Sequence, residues 1–322
     1  MYLEYFNFKK NPFHITPDPE FLFLSSGHKE AFAAIAYGIE ERKGFIAVTG
    51  EVGVGKTTIL RSYLQRIDPL KNRIIYIFNT SVTYRQLLKQ VFFEVGIPVA
   101  DEEAFELVNR LVHFLVQEYK HGRNVVLIID EAQNMPIETL ESLRTLSNLE
   151  TAQEKLLQMV LVGQPEFEAK LDLPELRQLK QRIAIRAHIS PLTLEESMAY
   201  VMHRLMKASL YFTPVFTDDA LRMILEVSQG IPRVINITSD NALITGFGYQ
   251  RNPVDLKIVE EVIRDMRHGR TRVEPISRWR RFLSLFFPFM RPRHGSVGPG
   301  NAAETFGGKK GGINNLAPEK AA

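Results

Sequence analysis

Residues 50–57, Gly50-Glu51-Val52-Gly53-Val54-Gly55-Lys56-Thr57, constrain this chain more than any other stretch. Glycines at 50, 53 and 55 let successive backbone N–H groups turn to one side, beside a lysine ammonium and a threonine hydroxyl. That combination suits a polyphosphate. The N–H groups cradle it, Lys56 neutralises the terminal phosphates, and the Thr57 hydroxyl ligates Mg²⁺. A glycine-rich octet also arises by chance, so its flanks decide. An apolar run from Gly44 to Thr49 enters the loop, and Thr58 to Ile67 leaves it with Ile59, Leu60, Tyr63 and Leu64 on one helical face. Strand, loop and helix in that order make Gly50 to Thr58 a nucleotide-binding loop.

A second strand supplies the acids. Val125-Val-Leu-Ile-Ile runs into Asp130-Glu131, so Asp130 can hold Mg²⁺ through its water shell and Glu131 can activate an attacking water. The plainer alternative is a carboxylate pair capping the next helix. Asn79 closes the strand that starts at Arg73, beside the expected place of Glu131, and is expected to hydrogen-bond that carboxylate and hold it inactive; otherwise it is a turn residue. Gln164 closes the strand Gln158 to Gly163, from where it orients the water or senses the γ-phosphate, unless it is only an exposed residue before Pro165. Arg177, Arg182 and Arg186 flank the last strand. Arg182 is the candidate guanidinium offered to a neighbouring subunit's γ-phosphate, with Arg177 as its alternative and a surface ion pair as the bland reading. Arg233, in Gly230-Ile-Pro-Arg233, opens a helix and is placed to reach the phosphates of its own subunit.

Helical patterns at Tyr84 to Val95, Phe105 to Tyr119, Ile137 to Leu149 and Glu175 to Leu179 separate these strands, and Ile183 to Ile189 adds a fifth. Strands nearly continuous in apolar residues, alternating with helices, predict an α/β fold with a doubly wound parallel sheet and its ligand at the carboxyl strand ends. After Pro191 the strand pattern stops. Leu194 to Ala208, Asp218 to Ser228, Pro232 to Thr245 and Asp255 to Met266 read as helices, with Gly230 ending one and Pro232 starting the next. The expected organisation is an N-terminal segment with a nucleotide-flanking helix (1–43), a nucleotide-binding domain (44–190), a small all-helical lid (191–268), a basic aromatic segment (269–293) and a disordered tail (294–322).

Composition limits the remaining possibilities. Cysteine is absent, which excludes disulfides and thiolate metal sites and suits a reducing cytosol. The N-terminus lacks the pattern of a signal peptide, and no apolar run approaches the roughly 18 residues of a membrane span. The net charge of +3 hides an asymmetry, because residues 268–322 carry ten Lys/Arg against three Asp/Glu. A basic surface of that kind favours nucleic acid or lipid headgroups.

Taken together these residues resemble a family, the AAA+ ATPases, and within it the general secretion pathway A-type (ExeA-like) proteins. The resemblance rests on Asn11-Pro-Phe13, Thr16-Pro-Asp-Pro19, Tyr37-Gly-Ile39, the loop from Gly44 to Thr58 (Walker A), Asp130-Glu-Ala-Gln133 (Walker B), Leu161-Val-Gly-Gln-Pro165 and Gly230-Ile-Pro-Arg233, spread over residues 1 to about 268. It implies an AAA+ parallel sheet flanked by helices with a helical lid, ATP and Mg²⁺ as cofactors, hydrolysis of ATP, and assembly into a homo-oligomeric ring or filament. It also implies Asn79 as glutamate switch, Gln164 as first sensor, Arg182 as finger and Arg233 as second sensor. Gln at the first sensor departs from the Asn, Ser or Thr common in AAA+ proteins. Pro12-Phe13 and Tyr37 to Ile39 either flank the adenine or pack in the core.

Fuller members of this family continue into a membrane span and a peptidoglycan-binding domain. In their place stands Arg278-Trp-Arg-Arg-Phe-Leu-Ser-Leu-Phe-Phe-Pro-Phe-Met-Arg-Pro-Arg293, whose aromatic core between arginines suits a membrane interface or a partner surface. The expectation is therefore a cytoplasmic ATPase, peripheral to the inner membrane, that remodels or assembles a secretion or envelope-assembly complex. The competing expectations are a DNA-associated regulator of the transposition or replication-loading type and a slowly cycling switch.

Overall fold

A computed structural model describes residues 1–16, 18–209 and 214–267. The expectations for the basic segment and the tail beyond residue 268 lie outside the described residues. The first half holds helices α1 (Tyr2–Tyr5) and α2 (Ser26–Glu40), strand β1 (Phe45–Gly50), α3 (Lys56–Leu64), β2 (Asn72–Ile77), α4 (Tyr84–Glu94) and α5 (Ala104–Lys120). Then follow β3 (Asn124–Ile129), α6 (Ile137–Leu146), β4 (Leu157–Gly163), α7 (Pro165–Leu171), α8 (Arg177–Arg182) and β5 (Ile183–Ile189). Among the described residues only helices come after that: α9 (Leu194–Ala208), α10 (Asp218–Ser228), α11 (Pro232–Gly248) and α12 (Leu256–Arg267).

The five strands form one parallel sheet in the order β2-β3-β4-β1-β5. Its inner strands β1, β3 and β4 are buried along their whole length, which is why they are predominantly apolar, with only Thr49, Asn124 and Gln158 as polar side chains. Period-two alternation then splits their side chains between two cores. Phe45, Ala47, Leu127, Ile129, Met159 and Leu161 point to the face covered by α4 to α8. Ile46, Val48, Val126, Ile128, Val160 and Val162 point to the face covered by α2 and α3. Edge strands β2 and β5 alternate buried and open positions.

Register matters for function. Thr49 pairs with Gly163 and Ile129 with Leu161, so the carboxyl ends of β1, β3 and β4 lie along one edge of the sheet. Whatever follows those strands meets there.

The helices after residue 190 share a third core, and the N-terminus belongs to it. Phe6, Phe8, Phe13 and Phe21 pack among Tyr200, Val201, Ile224, Ile235, Leu243 and Val259. The Tyr2 hydroxyl and the Asn11 amide both donate to Oδ1 of Asp240, at 2.7 and 3.1 Å. Arg204 of α9, itself buried, donates to the carbonyls of Pro12 and His14 (3.1 Å to the latter) and lies over the Phe21 ring. Residues 1–23 are thus strapped across the helical half before α2 carries the chain to the sheet.

Candidate active site

The loop after β1 wraps the start of α3, and two glycines in it are required by geometry. Gly53 has φ +84°, and a Cβ there would lie 2.7 Å from Cβ of Arg233. Gly55 has φ +108° and sits against the His28 ring, with Nε2 only 2.9 Å from where a Cβ would stand. His28 in turn donates from Nε2 to the Val54 carbonyl at 2.8 Å, while its Nδ1 lies 2.7 Å from the Ser25 hydroxyl, the N-cap of α2. Burial lowers the pKa of His28 against the opposing pulls of the Val54 carbonyl and Glu196, so the ring is neutral and serves as a fixed strut under the loop.

Lys56 is buried, and its ammonium donates to the carbonyls of Gly50 and Glu51 at 2.7 and 2.9 Å. Desolvation pushes its pKa down, although Glu131, Asp130, Glu51 and Glu166 pull the other way. A cation held this way gains from an incoming anion, which replaces dipoles with charge. Beside it Thr57 Oγ1 donates to Oδ2 of Asp130 at 2.9 Å. The Tyr76 hydroxyl donates to the same oxygen at 2.8 Å, and the backbone N–H of Glu131 to Oδ1 at 2.9 Å. Burial, reinforced by the Asp130 charge, raises the Tyr76 phenol well above its ordinary value, so it remains a donor.

Glu131 follows Asp130 with φ +56°, a left-handed backbone that turns its side chain over the sheet edge. Its Oε2 accepts from Nε2 of Gln133 at 2.6 Å and from Nε2 of Gln164 at 2.8 Å. Thr80, one residue beyond Asn79, donates its hydroxyl to the Glu131 carbonyl at 3.1 Å.

These groups border a cavity of about 330 Å³, within the size range of small-ligand sites. Residues 52–59 form its floor, Glu131 and Gln164 one side, and Arg233 the rim, with the Arg233 backbone N–H donating to the Gly53 carbonyl at 3.2 Å. Its far end is closed by the strap (His14, Ile15, Thr16, Asp18, Phe21, Leu22, Phe23) and by Tyr200, Arg204 and Asn236 of the helical half.

Of the residues singled out in the sequence, the loop from Val52 to Thr58 with Glu131, Gln164 and Arg233 lines this cavity, and Asp130 is tied to Thr57 behind it. Gly50 and Glu51 do not line it but hold the Lys56 ammonium through their carbonyls, and Asn79 and Arg182 do not join the group. Asn79 lies two residues past the end of β2, is exposed, and makes no side-chain hydrogen bond among the described residues, while Glu131 takes its bonds from glutamines instead. Arg182 is exposed at the amino end of β5, the opposite edge of the sheet from the loop; Arg177 and Arg186 are exposed too. Pro12-Phe13 and Tyr37 to Ile39 are also absent from the cavity wall: Phe13 and Ile39 are core residues and Tyr37 is exposed. Core packing is therefore the role of Phe13 and Ile39.

Tyr76, Gln133 and His28 went unread in the sequence. Tyr76 and Gln133 carried a usable signal, a tyrosine on the strand next to the acidic one and an amide two residues after Glu131. The donor set fits Mg²⁺. A hydroxyl and a carboxylate are hard oxygen ligands, and an ion that keeps waters and binds phosphates needs few from protein. No cluster of three or more His, Cys, Asp or Glu suited to a metal occurs among the described residues.

Residues 39–171 match the AAA domain family. General secretion pathway protein A of Aeromonas hydrophila is 43% identical over 248 residues, 77% of this chain; the chain spans 45% of that protein's length. An uncharacterized HTH-type transcriptional regulator of Methanocaldococcus jannaschii is 22% identical over 261 residues, 68% of this chain and 62% of the regulator. Among solved structures, the Aeropyrum pernix ORC2 protein superposes with a TM-score of 0.60 at 18% identity, over 80% of this chain and 72% of that one. Cdc6p from Pyrobaculum aerophilum gives 0.61 at 17%, over 79% and 70%. Those two likenesses speak to the fold, whereas the AAA domain match and the 43% identity speak to descent. The AAA domain at residues 39–171 and the 43% identity bear out the resemblance of this chain to the AAA+ ATPases of the general secretion pathway A type.

Proposed function

We propose that the chain binds ATP with Mg²⁺ in the cavity between loop and helical half, hydrolyses it, and couples the cycle to movement of residues 191–268 against residues 44–190. One observation carries this reading: the Thr57–Asp130 pair and the Glu131 carboxylate stand at the same sheet edge, around the buried ammonium of Lys56. Each group has one task. The loop amides and Lys56 bind the β- and γ-phosphates, and the oxygens of Thr57 and Asp130 would hold Mg²⁺, which would supply charge neutralisation to the phosphates. Glu131 takes a proton from the attacking water while Gln164 fixes that water's neighbour. Arg233, at the rim on the first turn of α11, reports the phosphates to the helical half.

Arg182 is remote from its own cavity. As part of the same proposal it serves as a finger toward the phosphates of a second copy in a homo-oligomer, ring or filament. We propose a further role for the complex in secretion or envelope assembly, in the cytoplasm and peripheral to the inner membrane; the Aeromonas likeness supports it. No helix among the described residues is long and apolar enough to cross a membrane. The membrane contact we propose is through residues 278–293, whose aromatic core is flanked by arginines.

In steady-state assays and nucleotide-binding titrations, Glu131→Gln is expected to keep ATP affinity and lose turnover by roughly a hundredfold or more. Lys56→Ala is expected to lose binding. Full turnover in Glu131→Gln overturns the hydrolytic reading. Flotation on anionic liposomes, run beside DNA titrations at several salt concentrations, tests the location. Salt-sensitive DNA binding without flotation favours a nucleic-acid partner instead.

A further inference from the structure

We infer that Gln133 is the positioning residue of the hydrolytic glutamate, and that it forms with Gln164 a closed amide clamp on one oxygen of Glu131. The inference rests on the reading of Glu131 as the group that activates water. The clamp has three hydrogen bonds. Gln133 Nε2 donates to Oε2 of Glu131 at 2.6 Å, Gln164 Nε2 donates to the same oxygen at 2.8 Å, and the backbone N–H of Gln164 donates to Oε1 of Gln133 at 3.2 Å. Because one end of the Gln133 amide accepts and the other donates, its orientation is determined by the ring itself.

The ring stands on rigid supports. Lys170 of α7 donates to the carbonyls of Gln133 and Met135 at 2.8 and 2.7 Å, tying the short turn Ala132–Asn134 to the helix that Gln164 caps. Ala132 and Met135 on either side are fully buried. Glu131 itself has a left-handed backbone, a costly conformation that persists only where its surroundings hold it.

The chemical consequence is a division of labour between the two carboxylate oxygens. Oε2 is occupied by two amide donors, while Oε1 takes no hydrogen bond from any described residue and Glu131 faces the cavity. Oε1 is therefore the oxygen that accepts the water's proton as the water oxygen bonds to phosphorus. The clamp removes the side-chain rotations that would carry it away. Asn79 is exposed and makes no hydrogen bond to Glu131, whose Oε2 takes its side-chain bonds from Gln133 and Gln164.

The test is kinetic. Gln133→Met keeps length and volume but has no donor, and Gln133→Glu keeps the acceptor for the Gln164 N–H while replacing the donor with an acceptor. Each is expected to lower kcat by roughly ten- to a hundredfold, the worth of a hydrogen bond to a charged group, with KM and ATP affinity within about twofold of wild type. Gln133→Met combined with Gln164→Met is expected to fall short of the product of the two single losses, since both act on one oxygen. Thermal midpoints are measured alongside. Unchanged kcat in either variant overturns the inference, and so does a kcat loss that comes with raised KM and a lowered midpoint, which marks a packing role only. If Glu131→Gln turns over normally, the reading of Glu131 fails first; if it is inactive while Gln133→Met is not, the clamp alone fails.

Discussion

A neutral imidazole holds the phosphate loop from below. His28 bonds the Val54 carbonyl from Nε2, and burial keeps its pKa below the ordinary histidine value. The unfolded chain takes up a proton near pH 6.5 while the native ring resists it, so the unfolded state binds more protons as the pH drops below that point. The contribution of His28 to stability is thus complete above about pH 6.5 and is lost as the pH falls toward the depressed native value. Denaturant midpoints are expected to decline between about pH 7 and about pH 5. In the His28→Gln variant the side-chain amide can still donate to the Val54 carbonyl but does not titrate, and the decline is expected to shrink; an unaltered pH dependence rejects the strut. Nothing in the sequence marked this residue, since a lone histidine on a helix has no spacing signature. The residues proposed to bind and hydrolyse ATP were legible because their chemistry allows few substitutes, and Lys56, Thr57, Asp130 and Glu131 do meet at one edge of the sheet. Asn79 was read from adjacency along β2, but the strand ends at Ile77, and two further residues carry its side chain into solvent.

At the scale of elements, the join between loop and helix is the most exacting. Gly55 is the N-cap of α3 with φ +108°, and it also leaves room for the His28 ring. Gly55→Ala is expected to cost about 1–3 kcal/mol from backbone strain alone. It should weaken nucleotide binding as well, measured by denaturation and by titration with a fluorescent nucleotide; wild-type behaviour in both would mean that the loop has another conformation open to it. The strands were the most readable elements, β1, β3 and β4 because burial on both faces demands apolar runs, β2 and β5 because they keep apolar residues at their buried positions; all five lie within two residues of their expected limits. Helix α7 was missed for the opposite reason. Seven residues beginning Pro165-Glu166 are too short for a periodic signal, yet this helix seats Gln164 and supplies Lys170 to the turn after Glu131.

Across the whole molecule, the nucleotide cavity is bounded by residues far apart in sequence. His14 to Phe23 reach it only because the strap is fastened to the helical half by Phe6, Phe8, Phe13 and Phe21. Phe13 is fully buried there, and Phe13→Ala is expected to cost about 3–5 kcal/mol. Its thermal midpoint should fall, and the gain in midpoint on adding a nonhydrolysable ATP analogue should shrink, because the wall of the site loosens with the strap. A lowered midpoint with the full nucleotide gain would uncouple the two. The strap was not legible in advance. It has two short helical turns and no periodicity, and its aromatic residues find partners in the helices that follow residue 190.

That fastening also has a history during synthesis. Tyr2 reaches Asp240, and Arg204 reaches the Pro12 and His14 carbonyls, so these strap residues are made 190 to 238 residues ahead of their partners. Chains emerge from the ribosome at about 5–20 residues per second, which leaves this aromatic-rich N-terminus waiting on the order of ten seconds for its partners. Until then Phe6, Phe8 and Phe13 are open to any apolar surface nearby. The sheet can assemble first, but the nucleotide site is closed only when the helix carrying Asp240 has arrived.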